Sequence, residues 1–128
     1  MKREKGFTLI ELLAVIIILS VIMVIAVPKV LDVINKSKEE AFIDSAYGIS
    51  DSAKYYYFEN NITGDYNFEF ENGKLKNNEK LKYKGTSPDS GNLVINSDGK
   101  IKLAFYSDSL NLCVKKEFND KNIKKVVK

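Results

Sequence analysis

The distribution of apolar and charged positions sets the beginning of the chain apart from the rest. Residues 1–6 form a short basic segment. Between Phe7 and Val27 the sole charged residue is Glu11. This stretch nearly supplies the roughly 20 apolar residues that a membrane-spanning helix needs. The pattern therefore predicts an N-terminal membrane segment that is closed by Pro28.

A helical pattern continues after this proline. Apolar residues recur at spacings of three and four, which is the period of a helix with one buried face. This stripe consists of Phe42, Ala46, Ile49, Ala53 and Tyr56. It predicts an amphipathic helix that runs to about residue 58 and packs against a sheet.

A second line of mostly small residues runs beside this stripe. It comprises Ile34, Ser37, Ala41, Ser45, Gly48 and Ser52. Two interpretations are open. Small side chains let a neighbouring helix approach closely, as they do between membrane helices, or they simply lie at the margin of the sheet.

The period changes to two from Asp65 onward, which indicates β-strands. The successive strand and turn patterns are Tyr66–Phe70, the turn Asn72-Gly73, Lys74–Lys76, an extended piece at Leu81 and Tyr83, the turn Pro88–Gly91, Leu93–Asn96, the turn 97–99, Lys100–Ser107, and a last strand at Leu112 and Val114. They predict an antiparallel meander of about three to five strands with one face on the helix. The tail from Lys115 is polar and basic, with Ile123, Val126 and Val127 as possible attachments to the body.

These patterns together predict an α+β fold. A long N-terminal α-helix, bent at Pro28, spans the membrane with its first half and packs on a small antiparallel sheet with its second. Roughly 100 residues outside the membrane suffice for one small domain and no second one.

The composition limits the chemistry of this domain. The chain contains no histidine, so the commonest general base and metal ligand is absent. Its single cysteine, Cys113, excludes an intrachain disulfide and is interpreted as a small core residue. No phosphate-binding loop or calcium loop is found. We therefore expect neither an enzyme nor a bound cofactor or metal.

The carboxylate of Glu11 is the main clue to function. An acidic residue at the centre of a membrane helix costs roughly 2.5–3.5 kcal/mol, and less near an end, so this residue implies a partner. If the chain is cut between Gly6 and Phe7, the new amine becomes a cation within reach of Glu11 on the same chain or on a packed neighbour.

The residues around this position resemble the class III signal of type IV pilins and of their relatives in secretion and DNA-uptake machines. The elements that match are the basic leader Lys2-Arg3-Glu4-Lys5-Gly6, then Phe7, Thr8-Leu9-Ile10-Glu11, and an apolar run closed by Pro28. The resemblance implies a prepilin peptidase that cuts after Gly6 and N-methylates Phe7. It covers roughly the first 30 residues by sequence and only the architecture beyond them.

One position departs from the family pattern. Many pilins carry a helix-softening glycine in the apolar run, and this chain has Ser20 there. Serine is a better helix former than glycine by a few tenths of a kcal/mol, so unwinding of the helix between Ser20 and Pro28 is less favourable here.

A secretory signal peptide and a simple anchor are the alternatives for this segment. The run is longer than a signal-peptide core, and an anchor leaves Glu11 unexplained.

The resemblance implies a domain organisation and a set of partners. Residues 1–6 are a cleaved leader, 7–28 the membrane and filament-core helix, and 29–128 an exported, lollipop-like head. Expected partners are other pilin copies, the prepilin peptidase, the membrane before assembly, and an inner-membrane platform with its ATPase. Phe7, Glu11 and Pro28 are the expected assembly residues, and Gly6 and Phe7 the processing residues. The leader's excess of cations predicts that it stays in the cytoplasm while the head crosses and later joins an extracellular filament.

An alternative role within the same family is a minor pilin or pseudopilin that binds DNA or another anionic ligand. Lysines cluster at positions 74–84 and again from Lys115, with aromatic residues nearby. Solvated strand faces and a frayed tail explain these lysines more simply, and a helix end that caps a small core explains most of the Tyr55–Phe58 run.

Overall fold

The computed structural model describes residues 6, 8–76 and 81–126 of the 128-residue chain. In this part of the chain one helix is followed by six strands. Helix α1 spans Leu9–Glu59, and the strands are β1 Tyr66–Glu71, β2 Lys74–Leu75, β3 Ser90–Ile95, β4 Ile101–Ser107, β5 Leu112–Lys116 and β6 Lys124–Val126. The fold is therefore α+β, as the sequence patterns predict.

The chain divides into two compact units, Met1–Lys36 and Ser37–Lys128. In the first unit the large apolar side chains of α1, from Leu9 to Ile34, keep between 42% and 82% of their surface exposed. An 18-residue window of this helix has a mean hydropathy of 3.1, and none of it is buried. By length and composition the segment is able to cross a membrane.

The polar residue within this apolar stretch satisfies its own hydrogen bond. The Ser20 hydroxyl donates to the carbonyl oxygen of Ile16 at 2.8 Å, so this hydroxyl is not left unpaired in the apolar stretch. Pro28 lies inside α1, and its missing N–H leaves the Val24 carbonyl without its usual donor. The helix nevertheless extends without a break from Leu9 to Glu59. A bend at Pro28 stays a prediction.

In the second unit the strands form one antiparallel sheet in the order β2-β1-β3-β4-β5-β6. The Asn72-Gly73 hairpin is confirmed: both residues have positive φ, 54° and 80°, as a two-residue hairpin turn of the primed type requires. The core consists of alternate strand residues and one face of α1. Its members are Phe42, Ala46, Ile49, Ala53, Tyr57, Phe68, Phe70, Leu93, Ile95, Ile101, Leu103, Phe105, Leu112, Val114 and Ile123.

Six strands exceed the predicted three to five, and the extra strand lies in the C-terminal tail. β6 pairs with β5, so Leu112 and Val114 do not mark the last strand. The β6 sequence carries adjacent lysines and no apolar alternation, and a strand held by backbone pairing alone gives no period-two signal. Ile123 is buried as predicted, whereas Val126 is 39% exposed. Val127 lies outside the described residues.

The predicted turn at Pro88–Gly91 is wrong in its second half, because β3 begins at Ser90. Gly91 pairs with Phe70 on one side and Phe105 on the other, and the two rings meet edge to face with centroids 5.5 Å apart. A Cβ at Gly91 would collide with the Ala104 carbonyl oxygen. The φ of +130° also lies in the region that favours glycine, so this strand position requires one.

The second half of the small-residue line on α1, from Ser45 to Ser52, is covered by the segment 81–87, whereas Ile34, Ser37 and Ala41 are exposed. The Ser45 hydroxyl donates to the Ala41 carbonyl and accepts from the Thr86 N–H at 3.1 Å, and the Ser52 hydroxyl donates to the Lys82 carbonyl. Gly48 faces the Lys84 carbonyl oxygen. The predicted extended piece at residues 81 and 83 forms no strand in the described part of this segment, which contacts the helix in place of the sheet.

Cys113 does not lie in the core, contrary to the interpretation from its apolar strand. Its neighbours Leu112 and Val114 are buried, but Cys113 itself is half-buried. Because alternate strand residues point to opposite faces, its thiol lies on the sheet face turned away from α1.

Candidate processing and assembly site

The start of α1 lies directly after the predicted cleavage position. Thr8 precedes the first helical residue, Leu9, and its hydroxyl oxygen accepts a hydrogen bond from the backbone N–H of Glu11 at 3.1 Å. The same hydroxyl donates to Oε1 of Glu11 at 3.2 Å. A side-chain acceptor for the N3 N–H defines a helix N-cap, and Thr-x-x-Glu is the sequence pattern of a capping box.

This geometry gives Glu11 two stabilising influences within its own chain. Its carboxylate accepts a hydrogen bond from Thr8 and lies in the first turn, where the helix dipole favours negative charge. Both offset part of the cost of a carboxylate in an apolar run. No ion pair to Glu11 occurs among the residues that the structure describes. Any cationic partner of Glu11 lies outside the described residues.

The other predicted site residues are distributed as follows. Gly6 is exposed, and a Cβ placed on it meets no atom within 4 Å. Phe7 lies outside the described residues, so its amine and its predicted contact with Glu11 remain predictions. Pro28 lies far along α1 from Glu11 and is not brought to the same site.

Thr8 is the residue whose role the sequence analysis did not assign. The signal that identifies it is its spacing of three from Glu11, immediately before an apolar helical run. The structure thus pairs Glu11 with Thr8 and orders the first helical turn next to the position of the cut.

Comparison with known protein families identifies the motif at the N-terminus. Residues 1–27 match the family described as the prokaryotic N-terminal methylation motif. No curated protein and no solved structure matches the chain significantly. The chain therefore carries the class III prepilin signal found in type IV pilins and pseudopilins, and this family motif is that of structural subunits. The head is characterised by its own structure alone.

The lysines of the head are arranged in several different environments. Lys76 lies 3.8 Å from both Glu69 and Glu71, so the positive charge near β2 is partly compensated. Lys125 pairs with Glu39 of α1 at 2.9 Å. These exposed pairs each contribute at most about 1 kcal/mol to stability.

Lys116 points to the helix side of the sheet. Its ammonium donates to the carbonyl oxygens of Ile101 at 2.8 Å and Glu117 at 3.3 Å. Partial burial, together with the nearby Lys54, lowers the pKa of Lys116, and Asp120 opposes this effect. The residue closes the end of the core and is not available as a ligand-binding cation.

The tyrosines at the end of α1 have unequal environments. Tyr57 is buried and donates to the Gly64 carbonyl at 2.6 Å, and Tyr56 packs edge to face against Phe68. Tyr55, by contrast, is 71% exposed. Two of the three tyrosines thus cap the core, whereas Tyr55 and the adjacent Phe58 remain exposed.

Proposed function

We propose that the chain is a structural subunit of a type IV pilus or a related filament, polymerised through its N-terminal helix after a prepilin peptidase cuts behind Gly6. The observation that carries the proposal is the methylation motif over residues 1–27, joined to a helix whose large apolar side chains from Leu9 to Ile34 are exposed. Such a surface needs a bilayer or other helices around it.

Assembly transfers this helix from one apolar environment to another. In the membrane the helix contacts lipid, and in the filament it contacts the helices of neighbouring subunits. The transfer has little net hydrophobic gain, so polar contacts determine the register of one subunit against the next. The Glu11 carboxylate, held by Thr8, meets the Phe7 amine of a neighbour and fixes that register. An ATP-driven assembly platform supplies the energy.

The capped helix start also suits the processing reaction. Gly6 is exposed, a Cβ on it meets no atom within 4 Å, and helix α1 begins at Leu9. Removal of the leader also removes three cations and one carboxylate and lowers the formal charge of the chain from +3 to +1. A nearly neutral subunit is suited to close packing of many copies.

The first prediction concerns this processing step. Intact-mass and N-terminal peptide mass spectrometry of filaments shed from the native cells should recover a chain that begins at Phe7 and carries one N-methyl group. A Gly6→Ala variant keeps a small residue and should be processed, whereas Gly6→Glu should accumulate as precursor in the membrane. A mature chain that begins at Met1, or after Ala26, would contradict the assignment.

A minor pilin or pseudopilin that binds DNA or another polyanion is the second candidate. The observation that favours it is the group of exposed lysines on the outer face of the sheet, Lys102, Lys115 and Lys124. Purified filaments that retain duplex DNA at low salt and release it as salt rises would support this role. The abundance of the chain among filament proteins separates a major subunit from a minor one.

A further inference from the structure

The face of α1 turned away from the sheet carries four exposed carboxylates and, beside them, the exposed Lys54. Glu40, Asp44, Asp51 and Glu59, here named the acidic ridge, are all exposed. Their spacings of four, seven and eight place them along one side of a helix with 3.6 residues per turn, opposite the buried stripe. None of the four forms an ion pair within the described residues, whereas Glu39, on another side of α1, pairs with Lys125.

The outer face of the sheet carries the opposite charge near its β6 edge. Lys102, Lys115 and Lys124, here named the lysine margin, point away from α1 on three adjacent strands. Lys115 and Lys124 lie directly opposite each other across β5 and β6. Among the described residues, Glu117 is the carboxylate that forms ion pairs with this margin. It lies 3.6 Å from Lys102 and 3.4 Å from Lys115.

Each surface is electrostatically unfavourable in a single copy. Glu40 and Asp44 are like charges one helical turn apart, and like charges at this spacing destabilise a helix. Like charges directly opposite in a sheet, such as Lys115 and Lys124, are destabilising as well. The two surfaces point in opposite directions from the head, so they cannot compensate each other within one chain. The ridge has an excess of carboxylates over its neighbouring lysines, and the margin has an excess of lysines over Glu117.

A concave surface with an exposed aromatic ring adjoins the ridge. Asp51, Tyr55 and Glu59 line one wall of a cavity of about 560 Å³, with Leu81 and Lys82 on another side. The Tyr55 ring is 71% exposed between two carboxylates. A lysine that enters this position gains both carboxylates and the face of a tyrosine ring, which attracts cations. Exposed tyrosines are enriched among residues that dominate protein interfaces.

We infer that the acidic ridge of one head receives the lysine margin of a second copy of the same chain. The inference rests on the proposed function and names the contact between heads that accompanies packing of the N-terminal helices. Because different surfaces of the two copies meet, the contact is heterologous, and such contacts propagate into open filaments when the rotation does not close a ring. The charged contact steers each incoming head and rejects the wrong orientation.

Charge reversal in the full chain, produced in its own cells, tests this contact. Asp44→Lys with Asp51→Lys should lower the yield of filaments at least about tenfold, because lysines then face lysines. Lys115→Glu with Lys124→Glu should do the same. The variant that combines all four changes restores opposite charges and should recover most of the filament yield. Each variant should be present in the membrane in normal amount and cut between Gly6 and Phe7, which shows that it folds and is processed.

The matched control changes the same amount of charge elsewhere on the head. Asp65→Lys with Asp98→Lys alters two exposed carboxylates outside the ridge and should leave filament yield unchanged. Wild-type filaments should also shorten when salt is raised to 1 M, where the Debye length falls to about 3 Å.

Three results would overturn the inference: both reversed pairs assemble like wild type, the combined variant assembles no better than either pair, or the control pair impairs assembly equally. Loss of DNA retention by the Lys115→Glu, Lys124→Glu filaments, with normal yield, would assign the margin to nucleic acid instead. Absence of wild-type filaments would refute the proposed function itself, which the charge-reversal results do not test.

Discussion

At the scale of single residues, the first helical turn concentrates the chemistry of the chain. Thr8 caps the helix through the Glu11 N–H and hydrogen-bonds its carboxylate, so Glu11 has a structural role in addition to its proposed role in assembly. A glutamate in a capping box is a common feature of helix starts in any protein. The two roles therefore have to be separated by experiment, and the chemistry of the side chain makes this possible.

Glutamine is the substitution that separates them. Glu11→Gln keeps the capping-box pattern, which accepts Glu or Gln at this position, and removes only the charge. If the carboxylate pairs with the Phe7 amine of a neighbour, the variant should insert, be cleaved and persist in the membrane, but its filament yield should fall at least about tenfold. Electron microscopy of filaments and quantification of the membrane pool measure both quantities.

Thr8→Val is the complementary control for Glu11→Gln. It removes the cap and leaves the charge, at a cost to the helix of about 1 kcal/mol. We expect a smaller loss of filaments from Thr8→Val than from Glu11→Gln. The reverse order, or wild-type filaments from Glu11→Gln, would show that the glutamate acts mainly as a cap or in recognition by the peptidase.

At the scale of secondary-structure elements, one glycine determines how three strands fit together. Gly91 leaves room for the Ala104 carbonyl and lets the flanking Phe70 and Phe105 rings meet. Gly91→Ala should therefore destabilise the fold by roughly 2–5 kcal/mol, the sum of a strained φ and an overpacked contact. Gly73→Ala is the matched control, since Gly73 also has positive φ but a Cβ there meets nothing within 4 Å.

Thermal unfolding of the full chain in detergent, followed by circular dichroism, measures this difference. The Gly73 variant should lose only the roughly 1 kcal/mol of unfolding free energy that the strained φ costs. This corresponds to a fall in Tm of about 4–8 °C for a domain of this size. The Gly91 variant should lose clearly more. Equal losses would mean that steric contact with Ala104 is relieved by a shift of β3.

The elements also show what the sequence could and could not indicate. Periodicity identified α1 and four of the five residues of its stripe, because Phe42, Ala46, Ile49 and Ala53 are buried. The fifth, Tyr56, is only half-buried, and its neighbour Tyr57 is buried instead. Periodicity missed β6, whose pairing depends on backbone groups and not on alternating side chains. Periodicity also left open what covers Ser45 and Ser52. Their hydrogen-bond partners in the segment 81–87 lie 41 and 30 residues away in sequence. Contacts of this kind leave no local pattern.

The candidate site was predictable to a similar degree. Gly6, Phe7, Glu11 and Pro28 follow from the motif, and the match over residues 1–27 confirms the motif itself. The cap by Thr8 was within reach of the sequence through its spacing. The acidic ridge was visible as scattered charges, but its relation to the lysine margin was not. That relation depends on which face of each element is turned outward, which only the packed sheet and helix define.

At the scale of the whole molecule, the distribution of charge around the membrane segment determines orientation. The leader contains Lys2, Arg3 and Lys5 against Glu4, and positively charged flanks stay in the cytoplasm. The head, which follows the apolar helix, should therefore lie outside the cell before it joins a filament.

The single cysteine makes this orientation directly measurable. Cys113 is half-buried on the outer face of the sheet, in the head, and the chain has no other thiol. A small membrane-impermeant maleimide added to intact protoplasts should label it, because the head is outside. A variant with Cys113→Ser, Gly6→Glu to retain the leader, and Glu4→Cys keeps the leader's formal charge at +2 and should be labelled only after lysis. The opposite pattern, with the leader labelled in intact protoplasts and Cys113 labelled only after lysis, would place the head in the cytoplasm and rule out assembly of an extracellular filament from this chain.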